Sequence, residues 1–98
     1  MNKIEAVEKL RAHAGAIKAL GATSLYLFGS TVRDEALESS DLDLFVDYDP
    51  KGKFNALDLV DIKLMLESEL GMRVDVTTRD SLHPMLKADI ERLAVRVF

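Results

Sequence analysis

Two aspartates at alternate positions, Asp41 and Asp43, are the residues of this sequence that most directly suggest chemistry. Residues 41–48 alternate strictly, as a β-strand does, so the two carboxylates point to one side, about 6 to 7 Å apart. Paired carboxylates suit Mg²⁺, which takes oxygen ligands and shares them with substrate phosphates. A solvated strand face would explain a lone pair equally well. Aspartate is nevertheless disfavoured in strands, which favours the functional interpretation.

A third carboxylate, Asp75, lies in another short apolar run, between Val74 and Val76. On a neighbouring strand it could complete a metal cluster and take the proton from an attacking hydroxyl. The alternative is an exposed strand acid that pairs with Arg73 or Arg79.

Gly29, Ser30 and Arg33 could bind phosphate, because they follow a predicted strand and begin a predicted short helix. Backbone N–H groups at a helix start have no intrahelical partners, and the helix dipole favours an anion. The Ser30 hydroxyl adds a donor, and the Arg33 guanidinium could reach triphosphate oxygens. Taken alone, a Gly-Ser pair is ordinarily a tight turn with a capping serine, and Arg33 could be a surface residue.

The elements that must position these residues follow from hydrophobic periodicity. Strands alternate with helices along the chain, which predicts an α/β (α+β) domain with a small mixed sheet of three to four strands and helices packed on it. We expect the helix at residues 54–70 to be broadly buried, because it carries two neighbouring apolar stripes. Strands are predicted at residues 24–28, 41–48 and 72–77, and helices at residues 4–20, 31–37, 54–70 and 84–97.

Composition limits the classes of function. The chain has 98 residues, so we expect a single domain over residues 1–98. The net charge of −4 disfavours binding to long nucleic acid, and the sequence has no cysteine for thiol chemistry. Neither a signal peptide nor a membrane span is predicted, so we expect a cytoplasmic protein.

The two motifs together resemble a known signature. Gly29 and Ser30, ten further residues and then Asp41 and Asp43 match the pattern of the polymerase-β-type nucleotidyltransferase superfamily, and the surrounding residues look like its minimal nucleotidyltransferase (MNT) branch. The resemblance covers nearly the entire chain.

The resemblance implies a polymerase-β-type fold and an activity. Asp41, Asp43 and Asp75 would be the catalytic and metal-binding residues and would hold Mg²⁺, with two ions expected. Gly29, Ser30 and Arg33 would bind the nucleotide, with ATP as the expected substrate. The implied partner is an HEPN-domain ribonuclease toxin, which some MNT antitoxins inactivate by adding AMP to a tyrosine.

Other interpretations stay open. The protein could neutralise a toxin by binding alone, or it could modify a small hydroxylated molecule, although the chain has few residues to build an acceptor site. Residues 47–58 imitate a Ca²⁺ loop, but Lys51 occupies a ligand position. His83 is interpreted as a helix-boundary residue, and Tyr26 and Tyr48 as packing residues.

Overall fold

The structure, a computed structural model, describes residues 1–33 and 41–98, and these form a mixed four-stranded sheet with four α-helices. The helices are α1 (Lys3–Ala12), α2 (Ala14–Ala19), α3 (Ala56–Leu70) and α4 (Lys87–Leu93), and the strands are β1 (Ala22–Phe28), β2 (Leu42–Tyr48), β3 (Val74–Thr78) and β4 (Val95–Arg96).

The sheet has the strand order β3-β2-β1-β4. Strand β1 is antiparallel to both of its neighbours, whereas β2 and β3 are parallel. The predicted α/β architecture with a small mixed sheet is therefore confirmed. The two central strands, β1 and β2, carry the Gly29 turn and the Asp41–Asp43 motif at the same end of the sheet.

One face of the sheet forms the hydrophobic core. The alternation predicted for β2 is confirmed, since Leu42, Leu44 and Val46 are all fully buried on this face. Burying one such side chain stabilises the fold by about 1.5–3 kcal/mol, and a one-residue slip in register would expose the whole set. The core therefore fixes the opposite face as the one that carries Asp43. The helices contribute Ala6, Leu10, Ile17, Ile62 and Leu66 to this core.

The N-terminal helix predicted at residues 4–20 is interrupted, so the prediction of one continuous helix is wrong. His13 has φ −105° and ψ 10°, and its N–H donates to Leu10 O at 3.0 Å. Gly15, which costs a helix about 1 kcal/mol relative to alanine, lies just after the break. Both segments still bury an apolar residue, Leu10 in α1 and Ile17 in α2.

The helix predicted at residues 84–97 is also shorter than expected. Helix α4 ends at Leu93, and Val95–Arg96 forms β4 on the outer edge of β1. Val97 donates its N–H to Leu25 O at 2.8 Å. The open edge of β1 offers backbone partners that the local helical spacing of Val97 does not reveal, and this tertiary pairing outweighs the spacing.

Helix α3 is not broadly buried as predicted. Leu57 is 73% exposed and Leu64 is 55% exposed, whereas Ile62 and Leu66 are fully buried. Only one stripe reaches the core, because α3 contacts the sheet on one side.

In the described part of the chain no helix is long and apolar enough to cross a bilayer.

The predicted helix at residues 31–37 lies largely outside the described residues, which stop at Arg33 and resume at Asp41. The described part is a 3₁₀ turn at Gly29–Thr31, and Phe28 rather than Ser30 occupies its N-cap position. Ser30 lies inside this turn and does not cap it, and the predicted α-helix that would follow it lies largely outside the described residues.

Candidate active site

Asp43 and Asp75 lie directly opposite each other on adjacent strands. They are register partners in the parallel pair of β2 and β3, so their side chains project from the same face of the sheet. This is the face away from the core. Asp43 is half-buried and Asp75 is exposed. The structure therefore brings together the carboxylates of two motifs that are separated by 32 residues of sequence.

The charge of Asp41 also acts at this position. Asp41 is exposed and lies immediately before β2. Burial raises the pKa of Asp43 above its ordinary value, and the negative charges of Asp75 and Asp41 raise it further, while Arg33 lowers it. The three acidic groups and one guanidinium thus share one electrostatic environment.

The Gly29 turn is pressed against Asp43. Phe28 is the register partner of Asp43, so Gly29 begins where β1 leaves this pair. Gly29 has φ +81°, and a Cβ at this position would overlap Oδ2 of Asp43. A glycine is required here for both reasons, because its positive φ strains other residues and its missing side chain leaves room for the carboxylate. The approach places the backbone of the turn beside the Asp43 carboxylate.

Ser30 and Arg33 belong to the same turn. Ser30 is half-buried within it, and the Arg33 N–H donates to Gly29 O at 3.4 Å. Arg33 is exposed, and its positive charge reaches Asp43. The predicted nucleotide-binding residues therefore lie next to the predicted acidic residues, and their binding role stays a prediction.

The acidic groups fit divalent cations by their chemistry. Carboxylate oxygens are the ligands that Mg²⁺ prefers, and a bound cation would relieve the repulsion by Asp75 and Asp41 that raises the pKa of Asp43. Within residues 1–33 and 41–98, however, no set of three Asp, Glu or His side chains is arranged to hold a metal ion as it stands. Metal binding by Asp41, Asp43 and Asp75 stays a prediction that rests on the donor set and not on a preformed cage.

The contacts of Arg79 differ from those that the sequence suggested. The sequence left Arg79 as a possible partner of Asp75, but its guanidinium instead donates to Asp47 on β2 through two hydrogen bonds, of 2.8 and 3.0 Å, and to Glu91 on α4 at 2.7 Å. These hydrogen bonds raise the pKa of Arg79 further above its ordinary value, first through Asp47 and then through Glu91. No local pattern signals contacts that span 32 and 12 residues.

A groove opens beside the Gly29 turn. It has a volume of about 290 Å³, and its lining is largely apolar. One wall follows the end of β1 and the turn, and the other is α4. The lining includes Phe28, Gly29 and Val32 on the first side and Leu86, Ile90 and Leu93 on the second.

The nucleotidyltransferase domain family matches residues 10–97, which is most of the sequence. The chain belongs to this family. It is therefore an enzyme of the nucleotidyltransferase class, as the Gly29–Ser30 and Asp41–Asp43 motifs predicted.

Individual relatives agree with the family. The chain is 46% identical over 77 residues to a protein of Methanocaldococcus jannaschii assigned as a protein adenylyltransferase, covering 79% of this chain and 81% of the relative. It is 33% identical over 98 residues to the protein adenylyltransferase MntA of Thermococcus cleftensis, covering 99% and 95% of the two chains.

Solved structures confirm the fold. A structure assigned as a minimal nucleotidyltransferase superposes with a TM-score of 0.73 at 37% identity, covering 97% of this chain and 95% of the other. A Shewanella oneidensis complex of a tri-AMPylated HEPN toxin with an MNT antitoxin contains a chain with a TM-score of 0.66 at 16% identity, covering 94% of this chain and 71% of the other. At that identity the second likeness concerns the fold alone.

Proposed function

We propose that this protein is a Mg²⁺-dependent adenylyltransferase that moves AMP from ATP to a tyrosine hydroxyl of a partner HEPN ribonuclease toxin and so acts as its antitoxin. The observation that carries the proposal is the pairing of Asp43 with Asp75 beside the Gly29 turn. The adenylyltransferase assignment of two relatives, at 46% and 33% identity, supports AMP as the transferred group. The HEPN partner is supported by the shared fold with the Shewanella oneidensis complex.

Each residue has a role in this proposal. Asp41, Asp43 and Asp75 would hold two Mg²⁺ ions, which supply positive charge against the phosphates and the leaving group. Asp75, which is more exposed to solvent than Asp43, would accept the proton of the attacking hydroxyl. The backbone N–H groups of the turn, the Ser30 hydroxyl and the Arg33 guanidinium would donate to phosphate oxygens. A bond forms between the acceptor oxygen and the α-phosphorus, the bond from that phosphorus to the bridging oxygen breaks, and pyrophosphate leaves.

The test is label transfer to the product of the neighbouring gene, where a partner HEPN toxin is expected. With Mg²⁺ and ATP labelled at the α-phosphate, we expect label on the toxin at a tyrosine identified by mass spectrometry. ATP labelled at the γ-phosphate should transfer nothing, because pyrophosphate is the leaving group. Labelling from the γ-phosphate would identify a kinase and overturn the proposal.

Substitutions locate the activity. Asp41→Asn and Asp75→Asn should each lower the transfer rate by about 100-fold or more, the usual cost of losing a group that stabilises transition-state charge. Asp61→Asn on α3 is the matched control, because Asp61 is exposed and belongs to a different element. It should transfer AMP at the rate of the unsubstituted protein.

A binding-only antitoxin is the second candidate. The observation that favours it is the exposed apolar stripe of Leu57, Val60 and Leu64 on α3, which no described residue covers. In that case Asp41→Asn would still neutralise the toxin, and ATP would make no difference. If neutralisation instead requires ATP and Asp41, transfer is the mechanism.

The expected cytoplasmic location stays a prediction.

A further inference from the structure

The face of the sheet away from the core carries an aromatic platform of three rings. The platform lies between Asp43 and Asp47 along β2. Tyr26 stacks on Phe45 with ring centroids 4.7 Å apart and planes inclined by 10°, and Phe28 lies 5.8 Å from Phe45. Phe45 is fully buried although it points away from the core. Phe45 follows Asp43 on the same side of β2, so this platform adjoins the candidate active site.

Arg79 covers the platform. The centre of its guanidinium lies 4.8 Å from the Tyr26 ring centroid and 4.9 Å from that of Phe45, within the range of a cation–π contact. The same group is held by the forked pair of hydrogen bonds to Asp47 and by the bond to Glu91. One side chain thus joins the end of β3, the two central strands and α4.

Helix α4 depends on this attachment. It buries no residue of its own, and Leu93 is 48% exposed. It has only seven residues, too few for an isolated helix to be stable in water. Glu91 is the point at which the Arg79 guanidinium ties α4 to the sheet, whereas the other ion pair on α4, between Arg92 and Asp89, lies within the helix and is largely exposed.

The position of α4 determines the shape of the groove beside Gly29. Leu86, Ile90 and Leu93 form the wall that faces Phe28 and the turn. If α4 shifted, this wall would move relative to the acidic cluster, and small displacements of positioning groups weaken binding and catalysis strongly.

We propose that Arg79 is a positioning residue for nucleotide binding, which acts by holding α4 in place as the second wall of the groove beside Gly29. The inference rests on the proposed function, because it takes the groove to be occupied when a nucleotide engages the turn. Arginine suits this task better than lysine, since only its planar fork can bind one carboxylate through two donors while stacking on aromatic rings.

The test compares Arg79→Lys with Arg92→Lys, which makes the same chemical change at an exposed arginine of α4. Two quantities are measured in the full chain: the dissociation constant of AMP-PNP with Mg²⁺ by calorimetry, and amide hydrogen exchange. In Arg79→Lys we expect binding to weaken by about 10-fold and exchange to quicken in α4 but not in α3. Arg92→Lys should match the unsubstituted protein in both measurements.

A merely structural role gives a different result. A reversible global unfolding equilibrium weakens the apparent affinity as well, but it quickens exchange in α3 and α4 alike, whereas the proposed role quickens it in α4 alone. Should Arg79→Lys fail to fold, Glu91→Gln tests the same link, and it should weaken AMP-PNP binding and loosen α4 with the rest of the sheet intact.

Two outcomes would overturn this inference alone: unchanged affinity in the variant, or weaker affinity without faster exchange in α4. If the unsubstituted protein itself binds no AMP-PNP, the proposed function fails and this inference fails with it.

Discussion

The folded protein disfavours the ionised form of Asp43, whereas the proposed reaction requires it. Burial and the charges of Asp75 and Asp41 raise its pKa, so its ionised form is held at a cost in folding free energy. Stability and activity should therefore respond in opposite directions when this charge is removed.

We expect Asp43→Asn to lower the transfer rate by about 100-fold or more and, without divalent cations, to leave the melting temperature at pH 7 equal or higher. Because the folded pKa of Asp43 is raised, its unfavourable contribution is absent below the ordinary pKa of aspartate and grows as pH rises through the folded value. The difference between the two proteins should therefore disappear near pH 3. Thermal unfolding in EDTA at both pH values checks this, and a lower melting temperature for Asp43→Asn at pH 7 would contradict it.

Substitution of Gly29 tests the close contact between the turn and the Asp43 carboxylate. Gly29→Ala should lower the stability by more than the 1–2 kcal/mol that positive φ costs an ordinary residue, since the new Cβ must also displace Asp43. Gly71→Ala is the matched control, because Gly71 has φ +66° and nothing lies within 4 Å of the added atom. Urea unfolding of both variants measures the difference. Equal losses would mean that the turn does not press on the carboxylate.

At the scale of elements, predictability depended on how local the determining interactions are. The spacing of Leu42, Leu44 and Val46 predicted β2 and the face of Asp43, because a buried alternating strand has only one register that hides its apolar set. Strand β4 was missed, since Val97 continues the helical spacing of Ile90 and Leu93, and residues 95–97 pair with the sheet only through the edge of β1.

The candidate site shows the same division. The motif residues Gly29, Asp41 and Asp43 could be predicted from spacing, and Asp75 from its place in an apolar run. The bonds of Arg79 to Asp47 and Glu91 could not be predicted, because they join three elements that only the folded chain brings together.

Helix α3 provides a prediction that separates stability from chemistry. Asn55 caps it by accepting from the N–H groups of Leu57 and Asp58, and the Asp58 carboxylate accepts from the Asn55 N–H. Asn55→Ala should lower the free energy of unfolding by about 1 kcal/mol. Because α3 packs on the core face, AMP transfer well below the melting temperature should be unaffected. Urea unfolding and a transfer assay check the two parts, and a large loss of activity in folded protein would show that α3 contributes to the site.

At the scale of the whole molecule, the sheet separates two tasks. One face buries the leucines and valines that hold the strands in register, and the other presents the acids, the aromatic platform and the Gly29 turn. Exposed residues of the face that carries the acids, such as Asp75, can therefore change with little effect on the core.

A crystal structure of the protein with Mg²⁺ and AMP-PNP is the decisive measurement for the proposed active site. We expect carboxylate oxygens of Asp41, Asp43 and Asp75 on the Mg²⁺ ions, with the Gly29 and Ser30 turn donating to the phosphates. A nucleotide bound elsewhere, or an Asp75 side chain turned away from the cations, would contradict the proposed active site.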